Sequence, residues 1–97
     1  MAEPDVRLTA WVHGNVQGVG FRWWTRCRAL ESGLTGYAAN QADGRVQVVA
    51  QGPRAAGEKL LQLLEGGDSW PPRPGRVDKV VATFSHPTEQ FSGFVER

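Results

Sequence analysis

Residues 8–30 read LTAWVHGNVQGVGFRWWTRCRAL and contain the junction that organises the whole chain. The preceding pattern, Val6–Val12, is rich in apolar residues and alternates in part with polar ones, which predicts a β-strand. Three glycines then interrupt the pattern between residues 14 and 20, and a segment with helical spacing of apolar residues begins at Phe21. This stretch therefore predicts a strand, a glycine-rich loop and a helix, in that order.

An arginine, Arg22, follows this loop directly and falls in the first turn of the predicted helix. Glycine allows backbone conformations that turn successive N–H groups toward one point, and a helix N-terminus adds unpaired donors and a positive dipole end. A guanidinium contributes a planar fork of donors that stays charged at physiological pH. The stretch is suited to a small dianion such as a phosphoryl group, although an ordinary connecting loop with a solvated arginine is equally compatible with these residues alone.

Two familiar nucleotide-binding loops do not match this segment. A Walker loop ends in Gly-Lys-Ser/Thr, whereas the sequence here is Gly20-Phe21-Arg22-Trp23, with neither a lysine nor a hydroxyl for magnesium. The dinucleotide fingerprint needs a third glycine where this chain has Trp23. A nucleotide site is therefore not favoured.

The pattern after the loop predicts two strand–helix–strand units. Phe21, Trp24, Cys27 and Leu30 recur every three residues, with Trp23 joining them, which predicts one broad apolar helix face toward the core. The predicted elements are a helix over Phe21–Ser32, strands over Leu34–Asn40 and Arg45–Gln51 joined by an Asp-Gly turn, a helix from Pro53, a strand over Val77–Ser85 and a short last strand within Phe91–Val95. This order indicates an α+β, ferredoxin-like βαββαβ sandwich with both helices on one face of an antiparallel sheet.

Length and composition bound the function classes. With 97 residues the chain is expected to form a single domain, 1–97, with one hydrophobic core. The net charge is +1, from 11 basic and 10 acidic side chains, so the sequence provides no strong field for nucleic acid or for an anionic membrane surface. No apolar run reaches membrane-spanning length and no signal peptide is recognisable, which predicts a cytoplasmic protein.

The metal-ligating residue types are sparse. Cys27 is the only cysteine, which excludes an internal disulfide and fits a reducing compartment. The two histidines, His13 and His86, lie far apart in sequence without a clustered cysteine or carboxylate partner. We expect neither a metal site nor a cofactor.

A second candidate site residue, Asn40, ends the strand that enters the predicted hairpin. Its carboxamide both donates and accepts hydrogen bonds, so it can hold a water molecule without being protonated itself. Asparagine is also a common turn residue, and considered alone Asn40 is better explained as one.

Two segments together resemble the two signatures of the acylphosphatase family. The first is Gly14-x-Val16-Gln17-Gly18-Val19-x-Phe21-Arg22, and the second is Gly36-Tyr37-Ala38-Ala39-Asn40-x-x-x-Gly44-x-Val46 followed by Gly52. The order of elements and the length also fit, so the resemblance extends over nearly the whole chain. It implies a ferredoxin-like enzyme that hydrolyses acyl phosphates to a carboxylate and inorganic phosphate.

The resemblance also implies roles for individual residues. In that family the arginine of the first signature binds phosphate beside the loop amides, and the asparagine of the second orients the attacking water; Arg22 and Asn40 stand at these positions. The loop would supply backbone donors from Asn15, Val16, Gln17, Gly18, Val19 and Gly20. The expected partner is a small acyl phosphate, with no nucleic acid and no membrane, and the fold can stand alone as a monomer.

Some positions depart from the family pattern. Ala39 replaces a residue that is often basic, Gln41 replaces a frequent hydroxyl, and the loop Gly66–Gly75 with Trp70 is longer than usual, without an assigned role. The same signatures also occur in domains of larger carbamoyl-phosphate-processing proteins, so a non-catalytic phosphate- or anion-binding regulatory domain is the alternative. The retention of Asn40 beside Arg22 favours the enzyme. Nothing in the sequence identifies the physiological acyl group.

Overall fold

The computed structural model describes residues 4–97 of the chain. Its elements follow the predicted order, with boundaries that differ from the expected ones by a few residues. They are β1 Asp5–Asn15, α1 Phe21–Glu31, β2 Thr35–Asn40, β3 Val46–Pro53, α2 Arg54–Leu64, β4 Arg76–Ser85 and β5 Phe94–Glu96. Pro53 precedes α2 as its N-cap instead of standing inside the first turn.

The strands form one sheet in the order β4-β1-β3-β2-β5. The first four strands of that order pair antiparallel, as expected for the ferredoxin-like fold. The prediction of a wholly antiparallel sheet is wrong at its edge, because β5 pairs parallel with β2. The reason is topological: the chain leaves β4, crosses to the opposite edge and reverses, which gives β5 the direction of β2.

Both helices cover one face of the sheet, where the core lies. Leu8, Ala10 and Val12 of β1 alternate toward this face and are fully buried, and Val46 and Val48 of β3 join them. Helix α1 packs on β2 and β5, and α2 packs on β1 and β3. The alternation of β1 thus separates a helix-covered face from an open one.

Guanidinium groups cover aromatic rings on the open face. Arg45 stacks over Trp11 with 4.4 Å between its central carbon and the ring centroid. Arg97 lies over Tyr37 at 4.0 Å. Cation–π contacts of this kind shield the rings from solvent without a covering helix.

The predicted apolar face of α1 is wrong in part. Phe21 and Trp24 are each only 1% exposed, but Trp23 is 51% exposed, Leu30 is 43% exposed and Cys27 is only partly buried. Three residues advance a helix by about 300°, so a series spaced by three drifts about 60° at each step and winds away from the core. The other buried side chains of the helix are Thr25, Arg28 and Ala29.

Candidate functional site

The glycine loop, Asn15–Gly20, connects the end of β1 to the start of α1. Gly18 and Gly20 have φ angles of 74° and 84°, in the left-handed region that glycine adopts readily. The first hydrogen bond of the helix runs from the N–H of Trp24 to the carbonyl of Gly20 at 3.0 Å. The N–H groups of residues 21–23 therefore have no acceptor within the helix and are available to an anion.

Two side chains of the loop anchor it. The Nε2 of Gln17 donates to the carbonyl of Gln41 at 2.8 Å and to that of Arg45 at 3.0 Å, at the base of the β2–β3 hairpin. Val16 is buried in the core. Sequence reasoning listed both residues for their backbone N–H groups and missed these anchoring side chains, which hold the loop beside the end of β2.

The first turn of α1 and the end of β2 meet at one backbone carbonyl. The carbonyl oxygen of Arg97 accepts a hydrogen bond from Nη1 of Arg22 at 2.8 Å and another from the backbone N–H of Asn40 at 3.0 Å. The N–H of Arg97 donates in turn to the carbonyl of Ala38 at 2.8 Å, which continues the pairing of β2 with β5. We call this side of the site the inner edge.

The inner edge keeps its functional groups free. Within residues 4–97, Nε and Nη2 of Arg22 find no protein acceptor, and the exposed carboxamide of Asn40 has no hydrogen-bond partner. A fixed guanidinium with unused donors can bind an anion bidentately. The structure thus brings Arg22 and Asn40 together at the carbonyl of Arg97.

The side of the glycine loop that meets the α2–β4 loop (65–75) at Val19 is called the outer edge. We count with it Trp23, the exposed neighbour in α1 of Trp24, which is hydrogen-bonded to the α2–β4 loop. Val19 is 36% exposed. Gly75 approaches the glycine loop so closely that a Cβ atom there would lie 2.3 Å from the carbonyl oxygen of Asn15 and 2.9 Å from Cγ2 of Val19. The carbonyl of Pro71 accepts a hydrogen bond from Nε1 of Trp24 at 2.9 Å. The loop to which the sequence assigned no role therefore borders the site.

Asp43, the acidic residue of the hairpin turn that follows Asn40, is hydrogen-bonded within that turn. The backbone N–H of Arg45 donates to Oδ1 of Asp43 at 3.1 Å, and the guanidinium of Arg45 donates to Oδ2 at 2.7 Å. The backbone hydrogen bond is the main cause that lowers the pKa of Asp43 below its usual value. Asp43 is therefore engaged by the turn itself.

Metal-ligating groups do not gather in the part of the chain that the structure describes. No three side chains among its histidines, cysteines, aspartates and glutamates come together in a group that could hold an ion. His13 stands on β1 opposite Lys79 of β4. The donors that converge at the site are amide and guanidinium groups, which suit an anion.

The fold is a ferredoxin-like α+β sandwich, and its candidate site combines N–H groups at the start of the first helix with the guanidinium of Arg22. The model of the acylphosphatase family matches residues 8–95. The chain belongs to the acylphosphatase family.

Individual relatives agree with this assignment. An acylphosphatase of Mycobacterium avium (strain 104) is 81% identical over 97 residues, with both chains covered completely. The crystal structure of an acylphosphatase from Bacillus subtilis is similar with a TM-score of 0.83 at 29% identity, and the match covers 95% of this chain and 98% of that one. Full-length HypF, solved in a phosphate- and nucleotide-bound form, matches with a TM-score of 0.83 over 100% of this chain and 12% of its own; at 20% identity this likeness concerns the fold.

Along the part of the chain that the structure describes, no helix is long and apolar enough to cross a membrane.

Proposed function

We propose that this chain is an acylphosphatase that hydrolyses the carboxyl–phosphate bond of acyl phosphates to a carboxylate and inorganic phosphate. Its membership of the family supports the reaction. The observation that carries the assignment of residues is the convergence of Arg22 and Asn40 on the carbonyl of Arg97, beside the N–H groups of residues 21–23, which have no acceptor within the helix. This arrangement presents anion donors and a water-binding carboxamide to one small volume.

The phosphoryl group lies in the glycine loop in this proposal. Its oxygens accept hydrogen bonds from backbone N–H groups of Asn15–Gly20 and of the first turn of α1, and from the unused donors of Arg22. Charge on the equatorial oxygens is stabilised by donors that are already in place before the reaction begins. Because one N–H of Arg22 is engaged by Arg97, the guanidinium keeps its orientation while the fork binds phosphate.

The attacking water is held by the carboxamide of Asn40. The backbone of this residue is fixed on both sides, by pairing with Val46 and by the hydrogen bond to Arg97, whereas its side chain is free. A carboxamide positions water but is too weak a base to take its proton, so we propose that the substrate phosphate accepts it. Positioning is among the main contributions that a protein makes to phosphoryl transfer.

The leaving group needs no help from a general acid. The carboxylate that departs from an acyl phosphate has a pKa of about 4 to 5, by analogy with carboxyl side chains. It therefore leaves as an anion at neutral pH. This explains how an arginine, an asparagine and backbone amides can suffice for the reaction without a metal ion or a cofactor.

The test is hydrolysis of benzoyl phosphate in the presence of a chelator, with the native chain compared with Asn40→Ala. We expect robust native turnover, and a loss of about 100-fold or more in kcat for the variant, the scale seen when one preorganised group is removed. The inhibition constant of inorganic phosphate should change little, because Arg22 and the loop remain. Gln41→Ala is the matched control, since it removes a neighbouring carboxamide whose one hydrogen bond within residues 4–97 is a 3.4 Å bond to the carbonyl of Ala39.

Two results would contradict this assignment. If Asn40→Ala lost phosphate affinity as severely as an alanine variant of Arg22, the division of roles between the two residues would be wrong. If the native chain bound phosphate but did not hydrolyse benzoyl phosphate, the chain would be the non-catalytic anion-binding domain that is the alternative function.

We further propose that residues 1–97 act as a single domain, as a monomer in the cytoplasm, with a small acyl phosphate as the only partner of the site. One hydrophobic core containing residues of both helices and of the strands β1, β2, β3 and β5 supports the single domain. The lone Cys27 fits a reducing compartment. Sedimentation equilibrium of the purified chain would test the monomer, and a dimer mass would exclude it.

A further inference from the structure

The acyl group of the bound substrate has to point away from the attacking water. In an in-line displacement at phosphorus, the entering and departing oxygens lie on opposite sides of the phosphoryl group. The proposed function places the water at Asn40, on the inner edge, where Arg22 also reaches toward β5. The acyl group then points toward the outer edge.

The contacts of α1 indicate which of its side chains lie near the acyl group at the outer edge. Arg26 extends to β5, since its Nε donates to the carbonyl of Phe94, and Arg22 extends to the residue that follows β5, since its Nη1 donates to the carbonyl of Arg97. Trp24 extends the other way, to Pro71 of the α2–β4 loop. Trp23 lies between these two flanks and faces outward from the molecule.

The position of Trp23 within the helix directs its ring toward the site. Long side chains on a helix lean toward its N-terminus, and Trp23 is in the first turn, at the end that carries the free N–H groups. This lean directs the indole toward the outer side of the anion site. Val19, whose Cγ2 lies close to Gly75, belongs to the same outer edge.

Trp23 has no evident task in packing. Its neighbour Trp24 is almost completely buried and uses its indole N–H to bind the α2–β4 loop. The ring of Trp23 is half exposed and makes no hydrogen bond or aromatic contact within residues 4–97. This exposed apolar surface in the first turn of α1 is available for contact with a ligand bound at the helix N-terminus.

We propose that Trp23 contacts the acyl group and makes this chain selective for acyl phosphates whose acyl part is aromatic or extended and apolar, with Val19 completing the contact; the inference rests on the proposed function. An acetyl group is too short to cover the indole. A benzoyl group presents a flat ring that can pack against it and remove apolar surface from water.

The experiment compares kcat/KM for benzoyl phosphate and acetyl phosphate in the native chain, Trp23→Ala and Trp23→Phe. We expect Trp23→Ala to lower kcat/KM for benzoyl phosphate by about five- to tenfold, and to change the value for acetyl phosphate less than twofold. Trp23→Phe should keep most of the preference. Leu30→Ala is the matched control, because Leu30 is a comparably exposed apolar side chain on the same helix, about 10 Å farther from its N-terminus.

Each other result decides against the proposal. An equal fall for both substrates would mean that Trp23 supports the site without reading the acyl group. A loss of the preference in Trp70→Ala, with Trp23→Ala unchanged, would place the acyl group over the α2–β4 loop. Absence of hydrolysis of either substrate by the native chain would overturn the proposed function itself, and with it this inference, whereas hydrolysis with an unchanged substrate ratio in Trp23→Ala overturns only the inference.

Discussion

The two edges of the site are built in different ways. At the inner edge, Arg22 and the backbone of Asn40 are tied to the carbonyl of Arg97, the residue after β5, by hydrogen bonds of 2.8 and 3.0 Å. At the outer edge, Val19 and Trp23 are exposed and bounded by the irregular α2–β4 loop. One edge is held by the main chain of the sheet, and the other presents side chains to solvent.

This difference separates chemistry from recognition. The phosphoryl group and the attacking water are the same in every acyl phosphate, so groups that are fixed before binding serve them best. Acyl groups differ between substrates, and side chains on a surface can be exchanged without disturbing the core. The inner edge should therefore respond to substitution with large losses for all substrates, and the outer edge with smaller losses that depend on the substrate.

The largest expected effect is at Arg22. Arg22→Lys should lower kcat/KM for every acyl phosphate by about 100- to 1000-fold, because an ammonium group cannot hold the carbonyl of Arg97 and present a planar fork to phosphate at once. Steady-state kinetics with benzoyl and acetyl phosphate would measure it. A loss of kcat/KM for only one of the two substrates would contradict the claim that the inner edge acts equally on all acyl phosphates.

Arg26→Lys provides the control for this variant. Arg26 lies one turn later on the same flank of α1 and also donates to a carbonyl of β5, that of Phe94 at 3.0 Å. It carries none of the anion donors, so its replacement should change kcat/KM less than threefold. If both variants lost activity equally, the effect would come from attachment of β5 and not from binding of phosphate.

A second prediction concerns the support of the outer edge by Gly75. Its φ of +77° disfavours a side chain, and an added Cβ would meet the carbonyl of Asn15 at 2.3 Å. Gly75→Ala should lower the free energy of unfolding by about 3 kcal/mol, from the left-handed backbone and from overpacking together. Urea denaturation would measure the change.

Gly18→Ala separates the two causes. Gly18 has nearly the same φ, +74°, but among the described residues 4–97 no atom lies within 4 Å of an added Cβ. Only the backbone cost remains, so the free energy of unfolding should fall by about 1 to 2 kcal/mol. Equal losses in the free energy of unfolding for Gly18→Ala and Gly75→Ala would show that the α2–β4 loop moves aside without cost and does not support the outer edge.

The sequence predicted the parts of the molecule that depend on local pattern. The order of strands and helices and the Asp-Gly hairpin follow from spacing and turn chemistry, and both were found. The glycine loop and the placement of Arg22 in the first helical turn follow from the same kind of signal. Asn40 could be singled out only through the resemblance, because a strand-end asparagine by itself indicates a turn.

The parts that the sequence did not predict depend on distant segments or on the main chain. Arg97 contributes a carbonyl oxygen, which any residue supplies, so no residue type signals its role. The parallel pairing of β5 is decided by where the chain crosses, and not by the composition of the strand. The outward position of Trp23 was missed because a spacing of three was interpreted as one apolar face; a period of 3.6 would have placed Trp23 and Leu30 outside.

A third prediction concerns Gln17, which joins the glycine loop to the hairpin. Gln17→Leu keeps the volume of the side chain but removes two hydrogen bonds, to the carbonyls of Gln41 and Arg45. Each of these carbonyls keeps another donor, the N–H of Gly44 and that of Gln41 respectively, so neither is left unpaired. The free energy of unfolding should therefore fall by about 2 kcal/mol, the net value of two ordinary hydrogen bonds.

The affinity of Gln17→Leu for inorganic phosphate tests whether Gln17 positions the glycine loop. If Gln17 holds the loop against the inner edge, the inhibition constant of inorganic phosphate should rise in Gln17→Leu by a similar factor whether benzoyl or acetyl phosphate is the substrate. Gln62→Leu, on the exposed side of α2, is the control and should alter stability by less than about 0.5 kcal/mol. A loss of stability in Gln17→Leu without weaker phosphate binding would mean that the loop keeps its shape through its glycines and Val16 alone.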